Sequence, residues 1–88
     1  MASRKVIVES AVGLHARPAT IFVKAVNDAG LPVQVGRPGG KLVNAGSILL
    51  VMSLGVKCGE EVELVAEGDG ADAQLDHLAD LLSRDLDA

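Results

Sequence analysis

Apolar and polar positions along the chain change period several times, and the changes mark out seven elements. Lys5 to Ser10 carries the β-branched run Val6-Ile7-Val8 and predicts a short strand. Ala11 to Leu14, which contains Gly13, is a loop. From Ala16 to Ala29 the apolar residues Ile21, Phe22, Ala25, Val26 and Ala29 recur at three- and four-residue spacing, which predicts a helix. Gly30 suits its C-terminal stop, and Pro32 bars continuation. Leu31 to Gly36 sets Leu31, Val33 and Val35 against Pro32 and Gln34, the alternation of a strand. Arg37-Pro38-Gly39-Gly40 is a turn by composition, and Lys41 to Asn44 a short third strand, so the two strands form a hairpin. Ser47 can cap a short helix, Ile48 to Leu54, ended by Gly55. Glu61 to Glu67 places Val62, Leu64 and Ala66 on one face and Glu61, Glu63, Val65 and Glu67 on a solvent face. After Asp69-Gly70 a last helix is predicted over Asp72 to Leu86, with Leu75, Leu78, Leu82 and Leu86 in one stripe and Asp72 near its positive end.

The order β-α-β-β-α-β-α predicts an α+β fold: an open-faced β-sandwich with a four-stranded antiparallel sheet and three helices on one face. At 88 residues the chain has material for one modest core, so residues 1–88 are expected to form a single domain. Phe22 is the lone aromatic, which makes that core aliphatic. The net charge is −4 and the eight basic residues are scattered, with no basic stripe or stacking platform, which argues against nucleic-acid binding. Cys58 is alone and cannot form an internal disulfide; a buried or incidental thiol is expected. The longest apolar stretch, Ile48 to Met52, is far too short to insert in a membrane, and Val6-Ile7-Val8 is cut off by Glu9 and Ser10 before it could serve as a signal segment. A cytoplasmic setting is the expectation.

The candidate chemistry lies in Gly13-Leu14-His15-Ala16-Arg17-Pro18-Ala19. Here a histidine stands where an extended segment turns into a helix. A helix start offers unpaired N–H groups and the positive end of the macrodipole, and so attracts anions. Gly13 gives the backbone freedom to place the ring. Pro18 fits the first turn, where a missing N–H costs nothing. Arg17 adds a permanent charge with a fork geometry suited to phosphate. Together these point to His15 as a phosphoryl acceptor.

The same heptapeptide resembles the active-site signature of the HPr family, the histidine phosphocarriers of the phosphoenolpyruvate-dependent sugar phosphotransferase system. Ser47-Ile48-Leu49-Leu50-Val51-Met52-Ser53-Leu54-Gly55 is similar to that family's regulatory-serine helix, and the element order and length agree over essentially the whole chain. The resemblance implies a carrier, not an enzyme, needing no cofactor. Enzyme I would pass a phosphoryl group to Nδ1 of His15, with Arg17 contacting it and Ala16, Arg17 and Pro18 lining its seat. Phospho-His15 would then pass the group to IIA domains of sugar permeases. Ser47 would double as the acceptor of a regulatory phosphate from an HPr kinase, with a transcriptional regulator as a further partner. Gly46 departs from the pattern here, because many kinase-regulated relatives carry a basic residue at that place. Val12 is a second departure, since valine cannot hydrogen-bond near a phosphoryl group. The resemblance further implies an apolar docking patch on the Ser47 helix (Ile48, Leu49, Leu50 and Met52), flanked by Thr20 and Lys24, on a protein that acts as a monomer.

Other chemistries fail on spacing. His15, Cys58 and His77 share no metal-ligand pattern. Gly68-Asp69-Gly70-Ala71-Asp72-Ala73 matches a relaxed dinucleotide pattern, but the chain ends before the required second strand, and two aspartates would repel a pyrophosphate. A metal-chaperone module would need a paired-cysteine loop. A purely regulatory relative would tend to lack the histidine. A nitrogen-branch carrier would share His15 but use a different enzyme I.

Overall fold

A computed structural model describes residues 2–84. The element order is β1 (Ala2–Ile7), α1 (Ala16–Ala29), β2 (Val33–Gly36), β3 (Val43–Asn44), α2 (Ile48–Ser53), β4 (Glu61–Ala66) and α3 (Ala71–Leu82). The strands form one antiparallel sheet in the order β1-β4-β2-β3, with the three helices covering one face, as the sequence pattern predicts. β4 is the hub: its Leu64 faces Arg4 on one side and Val35 on the other.

The core is aliphatic around one ring. Phe22, at 0% exposure, lies among Val33, Val35, Val62, Leu64, Leu75 and Leu78. A side chain buried to that degree contributes about 1.5–3 kcal/mol relative to its exposed state. α1 and α3 each turn one stripe inward: Ala19, Phe22, Val23 and Val26 from the first, Leu75, Leu78 and Leu82 from the second.

Several boundaries differ from the sequence pattern. β1 runs over Ala2–Ile7 and not Lys5 to Ser10. The register with β4 starts at Ala2↔Ala66 and ends at Ile7↔Glu61, so the strand takes in Ser3 and Arg4, residues with no strand signature of their own. Arg4 is accommodated because its stem lies at the sheet surface under α3 while its guanidinium pairs with Asp72 and Asp76. Beyond Ile7 the backbone leaves the ladder: the Val8 N–H donates to Glu60 O, but the Glu9 N–H donates to Leu82 O at the end of α3. β2 begins at Val33, just past Pro32, which has no N–H to donate to the sheet. β3 is only Val43–Asn44 and β4 stops at Ala66. α2 ends at Ser53 with Leu54 as its cap, and α3 starts one residue early, at Ala71, and closes at Leu82. The predicted Leu86 end lies outside the described residues. Val65 is buried at 9% exposure despite its place on the open face, because β4 is central and Ser3 and Gln34 flank Val65 across both ladders.

Candidate functional site

Backbone constraints deliver His15 to the surface. The Gly13 N–H donates to Ser10 O at 2.8 Å, closing a turn, and the Leu14 N–H donates to Val56 O at 3.0 Å. Gly13 has φ +70°, and a Cβ there would lie 2.2 Å from Val56 O, so only glycine permits both the turn and the close approach of two main chains. Leu14 is driven into the core at 1% exposure, which turns the next residue outward. His15 is then exposed and extended, at φ −143° and ψ 155°, and its side chain makes no capping hydrogen bond. Ala16 follows at φ 52°, the one non-glycine residue with positive φ among the described residues. An alanine there stores roughly 1–2 kcal/mol of backbone strain. Pro18 and Ala19 are buried and anchor the first turn of α1 from below.

The electrostatics of this start are one-sided. α1 has no acidic residue in its first turn. Arg17 is exposed and makes no ion pair or side-chain hydrogen bond among the described residues. An exposed imidazole, an uncommitted guanidinium and a helix start with unpaired N–H groups thus meet within three residues, and that arrangement can accept an anionic group. The sequence brings His15, Ala16, Arg17 and Pro18 forward, but not the torsion of Ala16 or the part played by Val56. Nothing in an alanine signals the positive φ of Ala16, and the Val56 carbonyl that holds Leu14 is a main-chain atom with no side-chain signature.

The flanking residues divide. Thr20 Oγ1 donates back to Ala16 O at 3.1 Å, and Lys24 Nζ is paired with Asp28 at 2.9 Å, so both already have partners on their own helix. α2 packs against α1. Ser47 caps it, its hydroxyl accepting the Leu50 N–H at 3.4 Å. The preceding residue is held by asparagines: Asn27 Nδ2 donates to Gly46 O, and the Gly46 N–H donates to Asn44 Oδ1. A Cβ on Gly46 would lie 2.6 Å from Asn27 Oδ1, so glycine fits where a side chain would not unless Asn27 moved. Leu49 and Leu50 point outward at 75% and 43% exposure, while Ile48 and Met52 are half-buried against the core. Val12 is also exposed, at 46%.

The remaining candidates stand apart. Cys58 is exposed, which removes the buried alternative of the two expected for this thiol. It sits on the loop after α2, where its Sγ donates to Glu9 O at 3.8 Å. His77 is exposed on α3. Among the described residues no group of three His, Cys, Asp or Glu could hold a metal ion, and no helix is long and apolar enough to cross a membrane. A shallow hollow of about 410 Å³, lined by residues including Pro32, Gln34, Asn44 and Glu67, contains neither His15 nor Arg17.

Comparison with known proteins bears on the whole chain. Residues 2–84 match the family described as PTS HPr component phosphorylation site. The chain is 47% identical over 87 residues to a phosphocarrier protein HPr of Streptomyces coelicolor, covering 99% of this chain and 94% of that protein. It is 52% identical over 81 residues to a phosphocarrier protein HPr of Haloferax volcanii, covering 91% of each. Its fold superposes on the crystal structure of an HPr from Bacillus anthracis with a TM-score of 0.86 at 34% identity, covering 92% of this chain and 95% of that one.

Proposed function

The chain belongs to the PTS HPr family of phosphocarriers, which are transfer intermediates and not enzymes, and from that premise we propose that His15 carries the phosphoryl group. Membership implies phosphotransferase-system partners such as enzyme I and IIA. In the proposed cycle the lone pair on Nδ1 of His15 attacks phosphorus of phospho-enzyme I. The N–P bond forms as the bond from phosphorus to the donor breaks. Transfer to a IIA domain reverses these changes and returns the ring to its starting state. Phosphoryl transfer asks for positioning and charge stabilisation more than for covalent help from the protein. The Arg17 guanidinium and the first N–H groups of α1, those of Ala16 and Arg17, supply that stabilisation, and the Pro18 ring fixes the turn that presents them. A site open on the surface suits a carrier, because two partners must reach His15 in turn and deep stabilisation of the adduct would trap the group.

The observation that carries this reading is an Arg17 with no ion pair among the described residues, beside an exposed His15 at a helix start with no acid in its first turn. Intact mass after incubation with phosphoenolpyruvate and enzyme I tests it. The expected result is one acid-labile phosphoryl adduct that His15→Ala abolishes. An adduct that survives that substitution, or none at all beside an active enzyme I control, refutes it.

The exposed Leu49 and Leu50, with half-buried Ile48 and Met52 beneath them, are proposed as the docking face for both partners, with Thr20 and Lys24 at its edge. The protein would work as a monomer, which leaves that face open. Ser47 is proposed as both helix cap and acceptor of a phosphate from an HPr kinase, read by a transcriptional regulator. Phosphate at a helix start is electrostatically favourable, and it changes the charge of the docking face. An acid-stable adduct, lost in Ser47→Ala, is the expected product of kinase treatment; its absence would leave Ser47 as a cap alone.

A further inference from the structure

The last turn of α2 has no basic residue of its own; its Val51 and Met52 carbonyls accept the Leu54 and Gly55 N–H groups, and the next carbonyls, those of Leu54 and Gly55, lie just past the helix end. A cation reaches them from the β2–β3 turn. Arg37 Nη1 donates to Leu54 O at 2.6 Å, Nη2 donates to Gly55 O at 3.1 Å, and Nε donates to Glu60 Oε2 at 2.9 Å. The second carboxylate oxygen, Glu60 Oε1, accepts the Lys57 N–H at 3.1 Å, and the Glu60 N–H donates to Lys57 O at 3.0 Å. The hydrogen bond from Arg37, followed by that from the Lys57 N–H, holds the Glu60 carboxyl below the ordinary carboxylate range. One guanidinium thus grips segment 54–60 at three points, a use of the planar fork that lysine cannot copy.

The other side of that segment is the seat of the histidine. Val56 lies between the gripped residues, buried at 3% exposure, and its carbonyl accepts the Leu14 N–H and abuts Gly13. Gly59 and Glu60 bond to both main-chain groups of Val8. The path from Arg37 to His15 is therefore continuous: guanidinium, 54–60 backbone, Val56 carbonyl, Leu14, His15. We infer that Arg37, braced by Glu60, is a positioning residue that fixes the Val56 carbonyl and through it the placement of His15. The inference rests on the reading of His15 as phosphoryl acceptor.

The test uses the full chain with phosphoenolpyruvate and enzyme I, and follows two readouts. Arg37→Ala is expected to lower kcat for His15 phosphorylation roughly 10-fold with KM for phospho-enzyme I within about 2-fold, since misplacement of a reacting group acts on the chemical step. Hydrogen exchange at the Leu14 amide should accelerate by roughly 10-fold in the same variant, as its acceptor loses its support. Arg37→Lys should recover part of both, because one carbonyl can still be met. Arg4→Ala, which removes a comparable exposed arginine from the β1–α3 pairs, should leave both at wild-type values. Wild-type kcat and Leu14 exchange in Arg37→Ala overturn the inference, as do equal losses in Arg4→Ala. Wild-type protein that takes up no phosphoryl group refutes the underlying reading instead, and Leu14 exchange still decides whether Arg37 supports the loop.

Discussion

Two helix starts in this molecule face the same physical problem and solve it in opposite ways. α3 begins behind Gly70 with Asp72 in its first turn, and Arg4 from β1 pairs with Asp72 and with Asp76 a turn later. Its positive end is met by a carboxylate of its own chain, and that carboxylate is met by a cation. α1 begins behind His15 with no acid in its first turn, no side-chain cap and an Arg17 that has no ion pair among the described residues. The charge pattern that is closed at α3 is left open at α1, and it is held open at a cost, since Ala16 sits at φ 52°. α2 is a third solution, capped by its own Ser47. The contrast teaches that a positive N-terminal end is common to all three helices, while α1 is the one that has neither an acid in its first turn nor a side-chain cap.

The strongest way to break the contrast is to make α1 resemble α3. Arg17→Glu places an acid in its first turn and removes the free cation. Transfer to and from His15 should fall by roughly 10²–10³-fold in quench-flow measurements, the scale seen for losing a stabilising donor, while folding stability stays equal or rises slightly. Next in size is Gly13→Ala, which keeps the charges but disturbs their seat. The left-handed φ and the collision with Val56 O should together cost about 2–3 kcal/mol in urea unfolding, with kcat falling alongside. Leu49→Asp leaves the helix start untouched and alters the exposed face beside it. It should raise KM for phospho-enzyme I about 10-fold with kcat and the far-UV spectrum unchanged, and an unchanged KM would remove Leu49 from the docking face. Ser47→Ala strips the cap from α2 and should lower stability by about 0.5–1 kcal/mol, toward the low end because the hydrogen bond is long at 3.4 Å. The smallest effect belongs to Asp72→Asn, which empties the start of α3. Stability should change by no more than about 0.5 kcal/mol, and phosphoryl transfer should not change at all. A loss of transfer there would mean that the two helix starts are not independent.

Much of this fold follows from periodicity, and the exceptions have physical causes. α1 shows the predicted bounds, Ala16–Ala29, because its apolar stripe, Gly30 and Pro32 all point the same way. The β2–β3 hairpin follows from the Pro-Gly-Gly turn. β1 was displaced because strand limits are set by the partner's register, and the β-branched signal at Val6-Ile7-Val8 marks only part of what β4 pairs with. Val65 reads as a solvent-face residue by alternation and is buried because its neighbours on both sides belong to strands far away in sequence. At the site, His15, Arg17 and Gly13 were legible as residue types with chemistry or conformational meaning. The left-handed torsion of Ala16, the Val56 carbonyl and the Arg37–Glu60 grip were not. Their parts depend on backbone torsion or on contacts between segments 17 to 42 residues apart, which no local pattern encodes.

The central claim is that the open start of α1 directs phosphate to one ring nitrogen. The chain has two exposed histidines, His15 on that start and His77 on α3, and the second is an internal control. Nitrogen-15 NMR of protein labelled at histidine, recorded before and after phosphorylation by enzyme I and phosphoenolpyruvate, reports the four ring nitrogens separately. The account predicts a phosphorus-coupled shift at Nδ1 of His15 and an unchanged His77. Phosphorus coupling at His77, at Nε2 of His15, or at neither ring would contradict it.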